Sequence, residues 1–119
     1  MNGMTTINQL EEIIESYNEY VKQLGTGTIN LANLFRQKNN KDGLMGVTSF
    51  SEGMEWLIAI NKHFLMNEIV TNFDELKIIG FLEEINEALL VEDYFLVADL
   101  FEYEIADYFL NLPAISIEQ

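Results

Sequence analysis

Cysteine is absent from the 119 residues of this chain, and proline and histidine occur once each. The lack of cysteine excludes a disulfide framework, a thiolate zinc site, an iron–sulfur cluster and a cysteine nucleophile. His63 is the single histidine, so a histidine-rich zinc site is excluded as well. The residue three positions before it is Ile60, which means that the Glu-x-x-His signature of di-iron bundles is missing.

Positive charge is also scarce, because 6 Lys and Arg residues stand against 20 Asp and Glu residues, for a formal net charge of −14. Such a chain is disfavoured as a ligand of DNA or RNA, since phosphate binding needs clustered cations. No apolar run approaches the ~20 residues of a membrane-spanning helix. Residues 1–5 lack the basic and apolar stretches of a signal peptide. We therefore expect a cytoplasmic protein that binds neither membranes nor nucleic acid.

Hydrophobic spacing predicts a long first helix. Over residues 7–24, apolar side chains recur at alternating steps of three and four, which is typical of a helix packed on other helices. Thr6, three residues before a glutamine, forms the capping-box pattern that begins a helix. The same count continues past Gly25 and Gly27, which favours one helix over two. The alternative is that these glycines end the first helix and a second one begins at once.

Turn-forming residues and caps divide the rest of the chain into three further helices. Residues 39–43 are dense in turn formers, and Asn72 with Glu75 three residues on predicts the cap of a third helix. The connector 91–93 is short, so the third and fourth helices are antiparallel neighbours, and Pro113 stops the fourth. No stretch alternates at period two, so we expect an all-α, up-and-down antiparallel four-helix bundle. The expected single domain is 1–119, with helices over about residues 6–39, 43–66, 72–91 and 93–112 and a tail of 113–119.

The fourth predicted helix carries more apolar surface than one packed face requires. One stripe begins at Tyr94 and matches a core face, and a second stripe lies roughly opposite when residues are placed about 100° apart. The second stripe is predicted to be a docking surface for a second copy or a partner helix. Alternatively, this helix is the most central element and other parts of the chain cover it. The predicted interface residues are Leu96, Leu100, Tyr103 and Leu110, together with Trp56, which is either an interface anchor or a bundle-edge aromatic.

Acidic residues are concentrated near the end of the sequence. Residues 83–119 contain ten acids and no base, so the third and fourth helices form a negative hairpin. Such a field attracts a basic partner. An alternative is that the carboxylates imitate a phosphate backbone and inhibit a DNA-binding protein. The glutamates mostly face away from the apolar seams, so we expect no metal site, no cofactor and no enzymatic activity.

Four segments resemble a known group of proteins. Residues 31–35, 53–57, 87–90 and 93–105 resemble small acidic helical proteins of Gram-positive bacteria that are classed as domains of unknown function. The last segment is an Asp-Tyr turn that enters a Leu-rich helix with a Glu-Tyr-Glu element. The resemblance covers about residues 28–110 and implies no activity.

These observations favour a non-enzymatic interaction module: an adaptor, chaperone or regulator. Its partner is expected to be a basic or amphipathic-helical protein or a second copy, giving a homodimer. Leu100→Glu would then abolish association and leave helicity unchanged. The alternative remains an acidic inhibitor that mimics nucleic acid.

Overall fold

The computed structural model describes residues 6–116, and every regular element within this range is helical. The helices are α1 (Ile7–Arg36), α2 (Asn40–Met66), α3 (Glu75–Leu90) and α4, which is continuous through Tyr94–Asp99, Leu100–Ile105 and Ala106–Leu110. They form a rod of 51 × 22 × 20 Å. Arg36 at the end of α1 meets Asp99 near the start of α4, as an antiparallel pair requires. The all-α four-helix bundle with a long first helix is confirmed.

The first helix is continuous through its two glycines. Thr6 and Gln9 form the predicted capping box, each side chain bonding to the other's backbone N–H. Within the glycine segment, the buried Thr28 hydroxyl donates to the Leu24 carbonyl at 2.6 Å, so no polar group is left unsatisfied there. Gly25 is buried beneath Leu110 of α4, whose packing supports this weak part of the helix.

Several predicted helix boundaries are wrong by two or three residues. The helix α1 ends at Arg36 rather than near residue 39, α2 begins at Asn40 rather than near 43, and α4 ends at Leu110 rather than near 112. The cap of α3 is Asp74, whose carboxylate accepts from the Lys77 N–H, and not Asn72. The Tyr108 hydroxyl accepts from the Asp74 N–H at 2.8 Å, so a contact with α4 also holds the backbone at this cap.

The first three helices end in the same backbone motif. In each, a residue two positions after the helix has a positive φ, and the next N–H returns to a carbonyl five residues back. This is the Schellman arrangement, in which glycine is usual because an L side chain costs energy in the left-handed region. Here the positions are filled by Lys38, Glu68 and Glu92, with φ of 64°, 62° and 55°.

Glycine at one of these left-handed positions is expected to stabilise the protein. Glu68→Gly should raise the free energy of unfolding by about 0.5–1 kcal/mol, because glycine adopts positive φ without steric cost. Glu87→Gly is the matched control, since it removes the same charge from an exposed α3 position and should cost about 1 kcal/mol. Urea denaturation measures both. A loss of stability in Glu68→Gly would contradict the argument.

The core is one apolar cluster to which all four helices contribute. Two glycines of α2 let α1 side chains approach its backbone closely, because a Cβ atom at Gly46 would collide with Leu31, and one at Gly53 with Tyr20. The largest side chains that are fully buried include Tyr17, Met54, Leu57, Phe64, Ile78, Phe101 and Ile105.

Tyr17 places a hydroxyl group inside this core. Its ring packs edge-on against Phe64, with 5.6 Å between the ring centroids, and the residue is 0% exposed. The hydroxyl has no hydrogen-bond partner within residues 6–116. Burial, with a smaller contribution from Tyr108, raises the pKa of Tyr17 to about 12.

Candidate interaction surface on the fourth helix

A π-helical segment, Leu100–Ile105, interrupts the α-helical geometry of α4. Its hydrogen bonds skip one residue more than those of an α-helix, as in the bond from the Ala106 N–H to the Phe101 carbonyl. Successive pairs of residues are buried both just before this segment, at Val97 and Ala98, and along it. Leu100 and Phe101 are both buried, and so are Ile105 and Ala106.

The structure overturns the prediction that Leu100 faces a partner. Its side chain is 2% exposed and belongs to the core, so it does not face a partner. The prediction assumed that only one face of α4 is packed, whereas α1 and α3 both contact the segment 100–105 and Phe50 of α2 packs on Phe101. Other parts of the chain therefore cover Leu100, as in the alternative given above. Leu100→Glu is therefore expected to reduce helicity, contrary to the prediction from the sequence.

The remaining predicted residues of α4 do not form one stripe. Leu96 and Tyr103 are exposed, by 43% and 65%. Leu110 is exposed as well, but it packs over Gly25 of α1 and lines a different cleft. Phe95 is 70% exposed, and the sequence argument missed it because it falls between the two stripes. We refer to Phe95, Leu96 and Tyr103 as the α4 ridge.

Trp56 lies away from the α4 ridge. Its ring packs edge-on against Tyr20 of α1, with 5.7 Å between the ring centroids. It remains partly exposed at the contact between α1 and α2. Trp56 thus lies at the edge of the bundle, and its role as an interface anchor stays a prediction.

Arg36 connects α1 to the π segment. Its Nη2 lies 2.8 Å from Asp99 Oδ1 and its Nε lies 3.0 Å from Glu102 Oε1. Its guanidinium also lies 5.9 Å from the centre of the Tyr103 ring, within the range of a cation–π contact. The hydrogen bond to Asp99, followed by that to Glu102, raises the pKa of Arg36. Arg36 thus positions Tyr103 and offsets two of the hairpin's carboxylates.

A cleft between α3 and α4 opens beside Tyr103. It has a volume of about 510 Å³ and combines aromatic rings with charged groups. Lys77 lies 5.7 Å from the centre of the Phe81 ring, while two carboxylates stand against this single ammonium group. The cleft is lined by residues that include Lys77, Phe81, Tyr103, Glu104, Asp107 and Tyr108. A cation from a partner therefore finds both aromatic faces and a net negative charge there.

The described part of the chain contains no group of three or more His, Cys, Asp or Glu residues arranged to hold a metal ion. His63 lies in the last turn of α2, as predicted, where a cation complements the helix dipole. No helix within residues 6–116 is both long enough and apolar enough to span a membrane.

A family model described as a domain of unknown function, DUF8042, matches residues 12–114. The chain belongs to this family. The match begins within α1 and extends past the end of α4, so it includes most of α1 and all of the other three helices. The resemblance to a family of unknown function is confirmed. Neither a curated protein nor a solved structure shows a significant match to the chain.

Proposed function

We propose that this protein is a non-enzymatic interaction module that binds a basic amphipathic helix along the α4 ridge. The proposal is carried by one observation: two exposed aromatic side chains, Phe95 and Tyr103, stand on a helix whose surroundings are acidic. Aromatic residues supply much of the energy at protein interfaces, and exposed apolar side chains rimmed by charge mark such surfaces. A partner helix would place its apolar face on the ridge.

The cleft beside Tyr103 supports a basic partner. Glu104 and Asp107 line it, and the ring of Tyr103 forms one of its walls. A lysine or arginine of the partner would gain both a cation–π contact and a charge interaction there. A second copy is supported less well, because pairing two α4 ridges would bring two acidic hairpins together.

A mimic of nucleic acid is also supported less well. B-DNA carries about one negative charge per 1.7 Å, so a duplex as long as this 51 Å rod carries about 30 charges. The chain has a net charge of −14. Its charge density is therefore about half that of the DNA it would imitate. The homodimer, the cytoplasmic location and the origin in Gram-positive bacteria stay predictions.

A synthetic 18-residue helix of leucine and lysine tests the proposal. We expect the double variant Phe95→Ala/Tyr103→Ala to bind the labelled peptide at least about tenfold more weakly, as loss of two interface aromatics implies. Glu104→Gln with Asp107→Asn should weaken binding and reduce its salt dependence. Fluorescence anisotropy over a series of salt concentrations measures both effects.

The matched control is Val70→Ala/Leu76→Ala, which removes two exposed apolar side chains outside α4. It should leave peptide affinity unchanged. Equal loss in both double variants would show that the peptide binds exposed apolar side chains anywhere on the surface and would contradict the proposal. Indifference to the ridge variants, with loss of binding in the carboxylate variants, would favour the nucleic-acid mimic instead.

A further inference from the structure

Residues 111–116 leave α4 and run back along α1, where Asn18 holds their backbone. The Asn18 Nδ2 donates to the Ile115 carbonyl at 3.0 Å, and the Asn18 Oδ1 accepts from the Ile115 N–H at 2.8 Å. One side-chain amide thus bonds both backbone groups of one residue, as an adjacent β-strand would. This contact recognises an extended backbone without regard to side-chain identity.

Side chains hold the same segment against the bundle. Leu112 and Ile115 are partly buried and pack against the core. The segment is uncharged, with the sequence Asn-Leu-Pro-Ala-Ile-Ser. The α1 surface it follows, from Gly25 back to Asn18, carries one acid and one base, Glu19 and Lys22, whose charges offset each other. This surface therefore lacks the net negative charge that surrounds the α4 ridge.

The segment leaves much of its groove unfilled. A cleft of about 1060 Å³ remains between α1 and the end of α4, and Ala114 borders it with only a methyl group. On the α1 side, the small residues Thr26 and Gly27 border the cleft and fill little of it. A segment with a larger apolar side chain at the position of Ala114 would bury more surface than the chain's own residues do. The other residues that line the cleft include Val21, Lys22, Asn30, Phe109, Leu110 and Leu112.

We propose that this groove between α1 and α4 binds an extended, uncharged segment of a partner protein, which displaces residues 111–116. Asn18 pairs with the partner's backbone, an aliphatic side chain takes the position of Ile115, and a bulky apolar side chain fills the cleft beside Ala114. The chain's own segment acts as a tethered competitor. Its effective concentration is in the millimolar range. The apparent affinity for the partner is therefore the intrinsic affinity multiplied by the fraction of molecules in which the groove is open.

Two capped peptides test this proposal on the full-length protein: Asn-Leu-Pro-Ala-Ile-Ser and its analogue Asn-Leu-Pro-Phe-Ile-Ser. The variant Ile115→Asp is designed to open the groove, because it places a charge where a partly buried aliphatic side chain packs. We expect this variant to bind the phenylalanine peptide at least about tenfold more tightly than the wild type does. The alanine peptide should bind more weakly than the phenylalanine peptide. The NMR shift of the Asn18 side-chain amide reports occupancy directly.

Ser116→Asp is the matched control, since it adds the same charge at an exposed neighbouring position and should behave as the wild type. Adding Asn18→Ala to Ile115→Asp should abolish peptide binding while the circular dichroism stays unchanged. Ile115→Ala serves the same purpose if the aspartate lowers helicity. Equal affinity of wild type and both Ile115 variants, or full binding without the Asn18 amide, would overturn the proposal. Because the α4 ridge is unaltered in these variants, this result is independent of the proposed function.

Discussion

Leu100→Glu is expected to unfold most of the protein under conditions in which the wild type is fully folded. The side chain is 2% exposed and lies in the core beside Phe101. Loss of a buried leucine alone costs about 2–5 kcal/mol, and an unpaired buried carboxylate costs several kcal/mol more. A domain of this size has a total stability of about 5–15 kcal/mol. Circular dichroism at 222 nm should therefore show a large loss of helix at neutral pH.

Tyr103→Glu provides the matched comparison. It introduces the same residue into the same π segment, at a position that is 65% exposed. We expect helicity and the urea midpoint to change little, while binding of the Leu/Lys helix weakens. If Leu100→Glu instead retained full helicity, Leu100 would face solvent, and its assignment to the core would be wrong. Comparison of Leu100→Glu with Tyr103→Glu thus distinguishes a core position from a surface position in the same π segment.

Alkaline pH is expected to destabilise the protein through Tyr17. Its pKa is raised from the usual 10.0 to about 12 in the folded state. Between these two values the folded state binds more protons than the unfolded state, so stability is lost as pH rises from 10 to 12. Two pKa units correspond to about 2.7 kcal/mol. Urea denaturation at pH 8, 10, 11 and 12 measures the slope.

Tyr17→Phe should reduce this alkaline slope and raise stability at pH 8 by about 1 kcal/mol. The variant removes a buried hydroxyl that lacks a hydrogen-bond partner among the described residues, and such a group costs about 1–3 kcal/mol. Tyr20 and Tyr108 also have raised pKa values through burial, so a smaller slope remains. Tyr103→Phe, which removes an exposed hydroxyl, should leave the slope as it is. An unchanged slope in Tyr17→Phe would show that another group titrates.

The helical architecture was predictable because its signals are local. The alternation of three and four in α1 and the capping box at Thr6 act within one or two turns. The continuity of α1 through Gly25 followed from an unbroken hydrophobic phase. Helix ends were less predictable, because the chain ends α1 with Lys38 at a left-handed position where the sequence signal would be a glycine.

The candidate site was predictable only in part. Exposed Leu96 and Tyr103 were found from periodicity, whereas Leu100 was misplaced and Phe95 was missed. A helical wheel gives the direction of each side chain but not the number of neighbouring helices, and α1, α2 and α3 all pack on α4. The residues next to Leu100 in the sequence carry no local signal for this packing.

By itself, the sequence determined that this is an acidic, all-helical bundle with a long first helix, since hydrophobic periodicity and caps depend on neighbours along the chain. Tertiary structure alone decided that α4 buries Leu100 in addition to its core stripe, which residue caps α3, and where residues 111–116 lie. The backbone of Asp74 is held by Tyr108, and Ile115 is held by Asn18, 97 positions away. Such choices depend on contacts between residues that are far apart in sequence, and no periodic pattern records them.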